Sequence, residues 1–123
     1  MLGRTDATPM IAVKDIDRAR KFYEDKLGLK TKDEWGGEGV TLKSGDTLIN
    51  VYRSEFAGTN KATSLTFQVD DVESKYRQLS ERGLRFERAP QKLFWGYGAE
   101  LRDPDGYLIY LWDERSMREI GGG

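Results

Sequence analysis

Ile11-Ala12-Val13-Lys14-Asp15-Ile16 and Phe67-Gln68-Val69-Asp70-Asp71-Val72 lie 56 residues apart and follow the same pattern. Each is an alternating apolar run that suits a half-buried strand, followed by an aspartate placed to start a helix. A charged amphipathic run follows the first and ends Leu27-Gly28-Leu29; a similar run follows the second and ends Arg82-Gly83-Leu84. Asp15 and Asp71 offer acceptors to the free amides of the first helical turn and complement its positive dipole end. Ile16, Ala19, Phe22, Tyr23 and Leu27 fall on one stripe of the first predicted helix, and Val72, Tyr76 and Leu79 on one stripe of the second. Gly28 and Gly83 suit the left-handed position that ends a helix.

Working outward, each helix is followed by short strand-like runs. They are Lys30–Trp35, Val40–Lys43 and Thr47–Arg53 in the first half, and Arg85–Arg88, Gly98–Asp103 and Tyr107–Trp112 in the second. Asp103-Pro104-Asp105-Gly106 reads as a tight turn, with proline presetting φ and glycine absorbing a positive φ. The order is βαβββ twice, joined by the polar segment Ser54–Lys61. That predicts an α+β architecture with its helices on one sheet face. A length of 123 residues predicts one domain, about 1–120, with modules at about 7–55 and 62–113 and a glycine tail at 121–123.

Composition excludes whole classes of chemistry. The chain has no cysteine and no histidine, so disulfides, thiolate nucleophiles, iron–sulfur clusters and imidazole catalysis are ruled out. Twenty basic residues against 21 acidic ones leave a formal charge of −1, no footprint for nucleic acid. The longest apolar run, Tyr107–Trp112, is far short of the ~20 residues that span a bilayer. The first ten residues lack the apolar stretch of a secretion signal, so a cytoplasmic location without membrane partners is expected.

The segments Val13–Leu29, Phe67–Leu79 and Arg102–Trp112, set in this duplicated order, resemble the vicinal oxygen chelate superfamily. It includes glyoxalases, extradiol dioxygenases, fosfomycin-resistance enzymes and bleomycin-resistance proteins. The resemblance covers roughly residues 7–113. It implies two tandem βαβββ modules whose curved mixed sheet surrounds a cavity, with the helices outside, and it implies a homodimer. It also implies a divalent-metal site in the metal-dependent members, whose ligand positions correspond here to Thr8, Asn50, Ser64 and Tyr110. Hydroxyls and one carboxamide bring no negative charge to offset the dehydration of a dication, so no metal and no cofactor are expected.

Strand alternation assigns the two sheet faces. Ile11 and Val13, Ile49 and Val51, Phe67 and Val69, and Ile109 and Leu111 form the helix-facing set, which leaves Asn50, Tyr52, Ser64, Thr66, Gln68, Tyr110 and Trp112 on the other side. Trp35, Phe94, Trp95 and Tyr97 cluster near predicted strand ends. The expected ligand-binding residues are therefore Tyr110, Trp95, Tyr97, Trp35, Tyr52, Asn50, Ser64 and Trp112. No catalytic residue is assigned, although Glu100 is a possible base with Arg102 as a same-face neighbour. The leading expectation is a metal-free protein of the bleomycin-resistance type that binds and sequesters a small aromatic or antibiotic-like molecule. The alternatives are a lyase or dioxygenase of the same superfamily with a rearranged site, or an interaction module using Asp113–Ile120 as a docking helix.

Overall fold

The computed structural model describes residues 2–4 and 6–121. The chain divides into two compact units that meet in sequence between Thr59 and Asn60, each one βαβββ module. After a short 3₁₀ turn at Leu2–Arg4, the first contains β1 (Met10–Val13), α1 (Ile16–Arg20), β2 (Lys30–Glu34), β3 (Gly39–Ser44) and β4 (Thr47–Arg53). The second contains β5 (Thr63–Gln68), α2 (Val72–Glu81), β6 (Phe86–Leu93), β7 (Gly96–Arg102), β8 (Leu108–Trp112) and α3 (Glu114–Gly121). Each module has its own four-stranded mixed sheet, ordered β1-β4-β3-β2 and β5-β8-β7-β6. In both, the first strand pairs parallel with the last, and the other neighbours are antiparallel. The α+β class and the duplicated order expected from sequence are both observed.

Local chemistry sets the helix ends. Asp15 accepts from the Arg18 amide at 3.1 Å and Asp71 from the Ser74 amide at 3.2 Å, so both aspartates are N-caps. Gly28 and Gly83 sit at φ +81° and +89°, which stops each helix as expected. The first helix departs from expectation beyond Arg20, where Lys21–Lys26 continue as π-helix. The Leu27 amide reaches back five residues to the Phe22 carbonyl, and Phe22 and Tyr23 pack edge-to-face with ring centres 5.0 Å apart.

Helix-facing strand positions form the cores. Val13, Leu42 and Val51 are fully buried in the first module, and Ala99, Leu101 and Ile109 in the second. Strand β6 is longer than predicted, because the chain from Phe86 to Leu93 continues into a hairpin with β7. Pro90 hid this: it cannot donate to a ladder, and it is tolerated here because β6 is an edge strand whose register shifts between Arg88 and Gln91. The Asp113–Ile120 segment forms α3, which packs against β7 of its own module. Gly121 closes α3, while Gly122 and Gly123 lie outside the described residues.

The turn before β8 is as expected. Buried Asp103 accepts from the amides of Asp105 and Tyr107, both at 2.9 Å, and Gly106 adopts φ +89°. A side chain at 106 would meet open space, so only backbone strain opposes it. Gly106→Ala should therefore cost about 1 kcal/mol, read as a lower urea midpoint at unchanged m-value.

Candidate functional site

The sheet face turned away from α2 carries an arrangement that strand alternation alone does not specify. Gly98, Glu100 and Arg102 of β7 lie beside Trp112, Tyr110 and Leu108 of β8. Trp95, in the turn between β6 and β7, folds back over this face. Its ring stacks on Tyr110 at 4.3 Å between centres with only 10° between planes. Its indole nitrogen donates to Glu100 Oε2 at 2.8 Å. A β-carbon at Gly98 would lie 2.5 Å from the Trp95 ring and collide with the Leu111 carbonyl, so glycine is what lets the indole lie flat. The close approach at Gly98 is made by the protein's own tryptophan.

Glu100 is only 6% exposed. One carboxylate oxygen takes the indole N–H, and the other faces Arg88 Nε at 3.3 Å. Its cation is therefore Arg88 and not Arg102, which binds Glu87 at 2.8 Å. The bulge in β6 accounts for the difference, because it sets Arg88 directly across from Glu100. Beside this group lies a cavity of about 530 Å³ lined by Arg88, Gln91, Lys92, Leu93, Phe94, Glu100 and Leu108.

The first module repeats the plan in polar form. Trp35 lies over Gly39, where a β-carbon would be 2.6 Å from its ring, and donates to Thr41 Oγ1 at 3.2 Å. Thr41 in turn donates to Asn50 Oδ1 at 2.8 Å, and Asn50 Nδ2 donates to Met10 Sδ at 3.4 Å. Thr41 pairs with Asn50 as Glu100 pairs with Tyr110, and Gly39 pairs with Tyr52 as Gly98 pairs with Trp112. In each module a tryptophan thus covers a glycine and bonds the residue two positions later. Thr41, Arg88 and Glu100 were not assigned as ligand-site residues from sequence. For Thr41 and Glu100 a signal was present, since Trp35…Gly39-Val40-Thr41 and Trp95…Gly98-Ala99-Glu100 follow a similar order with spacings that differ by one residue.

The expected site residues therefore fall into two groups. Trp95, Tyr110 and Trp112 share one face in the second module, and Trp35, Asn50 and Tyr52 belong to the first. Ser64 is half-buried at the register shift between Thr63 and Leu65. Tyr97 points the opposite way, and its hydroxyl donates to Glu73 Oε1 of α2 at 2.7 Å. That bond, reinforced by burial and the negative charge of Glu73, raises the Tyr97 pKa above the usual phenol value.

A family model described as the glyoxalase/bleomycin resistance protein/dioxygenase superfamily matches residues 7–111. The chain belongs to that superfamily. Among relatives of this superfamily member, the Bacillus subtilis (strain 168) protein YraH is 30% identical over 118 residues, covering 83% of this chain and 92% of YraH. A bleomycin-binding protein solved with bleomycin is 28% identical with a TM-score of 0.72, covering 89% of this chain and 98% of that one. A bleomycin-binding protein from Streptomyces verticillus, solved with copper(II)-bleomycin, shares the fold at a TM-score of 0.75 and 18% identity, covering 93% and 99% of the two chains.

Metal-dependent members of this superfamily need ligands that the present side chains do not supply. Thr8 precedes β1, and the β1 residue level with Asn50 is Met10, while Thr66 is level with Tyr110 on β5. The donors here are neutral. Asn50 is already bonded to Thr41 and Met10, and Tyr110 lies beneath Trp95. This set does not fit a divalent ion.

Among the described residues, three carboxylates come close enough to share an ion elsewhere: Asp71, Glu73 and Asp113, within 4.8 Å of one another. Two converging helix starts account for them. Asp113, fully buried, accepts from the Val72 amide at the start of α2 and from the Ser116 amide in α3, each at 2.7 Å. Burial alone would raise the Asp113 pKa, but these bonds outweigh it and hold the carboxyl below its usual value. Asp71 and Glu73 take the Ser74 amide and the Tyr97 hydroxyl, and Glu73 Oε2 is buried without a donor.

Proposed function

We propose that this protein is a metal-free binder that sequesters a small aromatic or antibiotic-like molecule on the face of its second module turned away from α2. The observation that carries this reading is the Trp95–Tyr110 stack beside the buried Glu100 and an adjoining cavity. Flat rings offer a planar ligand large apolar area and about 0.5–1.5 kcal/mol of ring contact beyond burial. The neutral donors at Asn50 and Tyr110 support the metal-free part, and the likeness to a bleomycin-binding protein at 28% identity supports the ligand class.

Isothermal titration against bleomycin and a panel of planar aromatic metabolites tests this reading. The expected result is saturable one-to-one binding of at least one compound, weakened about tenfold by Tyr110→Ala through loss of the stacking partner. Silence across the panel overturns it. One feature favours a second reading, an enzyme of the lyase or dioxygenase type with a rearranged site: Glu100 is a buried carboxylate on the face that carries Trp95 and Tyr110. Metal analysis of untreated protein separates the two, because a stoichiometric first-row metal contradicts the metal-free binder.

A further inference from the structure

The polar groups on the face that carries Trp95 fall into two sets. On the β7 side they are paired: Glu100 takes the Trp95 indole N–H on one carboxylate oxygen and Arg88 on the other. On β8 they are not. The Tyr110 hydroxyl and the Trp112 indole N–H make no hydrogen bond among the described residues. Tyr110 lies level with Glu100 across the ladder, yet the carboxylate there is already taken by Trp95. Tyr110 is only 9% exposed, and its hydroxyl is not among the side-chain oxygens that are sealed from solvent without a partner. The phenol is thus buried as a ring and reachable at its one polar atom. Trp112 is half-buried and level with Gly98, over which the Trp95 ring lies. Tyrosine and tryptophan buried to this degree usually find a partner for their polar end. Here two such ends lie unbonded beside the Trp95–Tyr110 stack.

We propose that the second module selects flat aromatic ligands that carry a hydrogen-bond acceptor, a ring nitrogen or a carbonyl oxygen, with the Tyr110 O–H and the Trp112 N–H as the donors that read it. This rests on the small-molecule reading above and adds the polarity of the ligand and the atoms that recognise it. The sign of the preference follows from the inventory of donors and acceptors. An indole nitrogen can only donate, a phenol can donate or accept, and the carboxylate on this face has both oxygens occupied. A ring that brings an N–H instead opposes the Trp112 donor and has only the phenol oxygen to bond. Thr66 and Gln68 of β5, level with Tyr110 and Trp112, are exposed and can act either way, so they set no preference. One net hydrogen bond to such a ligand is worth about a fivefold gain in affinity.

The test is an NMR titration of the full chain, slightly above neutral pH, with three flat bicyclic probes. Quinoline is uncharged there and only accepts, naphthalene neither donates nor accepts, and indole donates. Quinoline should bind about fivefold more tightly than indole, with naphthalene reporting ring contact alone. Tyr110→Phe keeps the ring beneath Trp95 and removes only the hydroxyl, so the ratio of quinoline to naphthalene affinity should fall about fivefold. Trp112→Phe should lower the same ratio independently, and near-ultraviolet circular dichroism verifies that the ring stack persists in both proteins. Indole binding as tightly as quinoline to the wild type overturns the acceptor selection and leaves the aromatic-binding reading standing. So does an affinity ratio that neither substitution lowers. Silence from all three probes overturns this proposal and counts against the aromatic-binding reading as well.

Discussion

Asp113→Ala should lower the stability of the second module by about 3 kcal/mol, because it strips acceptors from two buried amides at once. The carboxylate is fully buried, and its two oxygens separately hold the start of α2, at Val72, and the first turn of α3, at Ser116. An alanine leaves both donors without a partner in a place that water does not reach. Asp113→Asn keeps the shape but presents an amide nitrogen where one acceptor stood, so it should recover only part of the loss. The charge also gives a pH signature. Because the folded carboxyl titrates below its usual value, its contribution is fully present above the unfolded pKa of about 3.9. It is lost as the pH falls through the lower, folded value. Urea melts from pH 7 down to pH 3 should show wild type losing more stability on acidification than Asp113→Asn. Parallel curves for the two proteins would sink this account.

Gly98→Ala should cost about 3 kcal/mol, the upper end of what overpacking a well-fitted site costs. The added carbon meets the Leu111 carbonyl, which belongs to the neighbouring strand and cannot turn aside as a side chain would. It also meets the Trp95 ring at 2.5 Å and should lift it off Tyr110. The expected readouts are a reduced unfolding midpoint, a red-shifted tryptophan emission, and loss of ligand binding out of proportion to the loss of stability. Gly39→Ala is the matched change in the first module, where the obstacles are the Trp35 ring and the Val51 carbonyl, both at 2.6 Å. It should destabilise comparably while sparing the aromatic ligand. A Gly98→Ala protein with wild-type emission and affinity would mean that the indole does not depend on that glycine.

These two sites mark how much was legible in the chain. Asp15 and Asp71 could be read as caps because a cap acts on amides two or three residues away, within the reach of sequence spacing. Asp113 could not be read as a second anchor for α2, because its partner amide is 41 residues distant. Strand alternation placed Ile109 and Leu111 under the helix and Tyr110 on the opposite face, since side-chain period fixes the face once the core side is known. Tyr97 is grouped with Trp95 only by its nearness to a predicted strand end, without that rule. The β7 pleat separates them: Trp95 covers the face of Glu100 and Tyr110, and Tyr97 reaches Glu73 on the helix side.

By itself the sequence determined the duplicated βαβββ order, the helix limits, the turn before β8 and the neutral donors at the expected ligand positions. All of these depend on interactions a few residues long or on residue identity alone. Only the tertiary structure decided that Trp95 lies on Tyr110, that Arg88 rather than Arg102 neutralises Glu100, and that α3 packs on its own β7. The pairing of Arg88 with Glu100 follows from the register shift between Phe86 and Arg88, and register is set by the collective fit of whole strands.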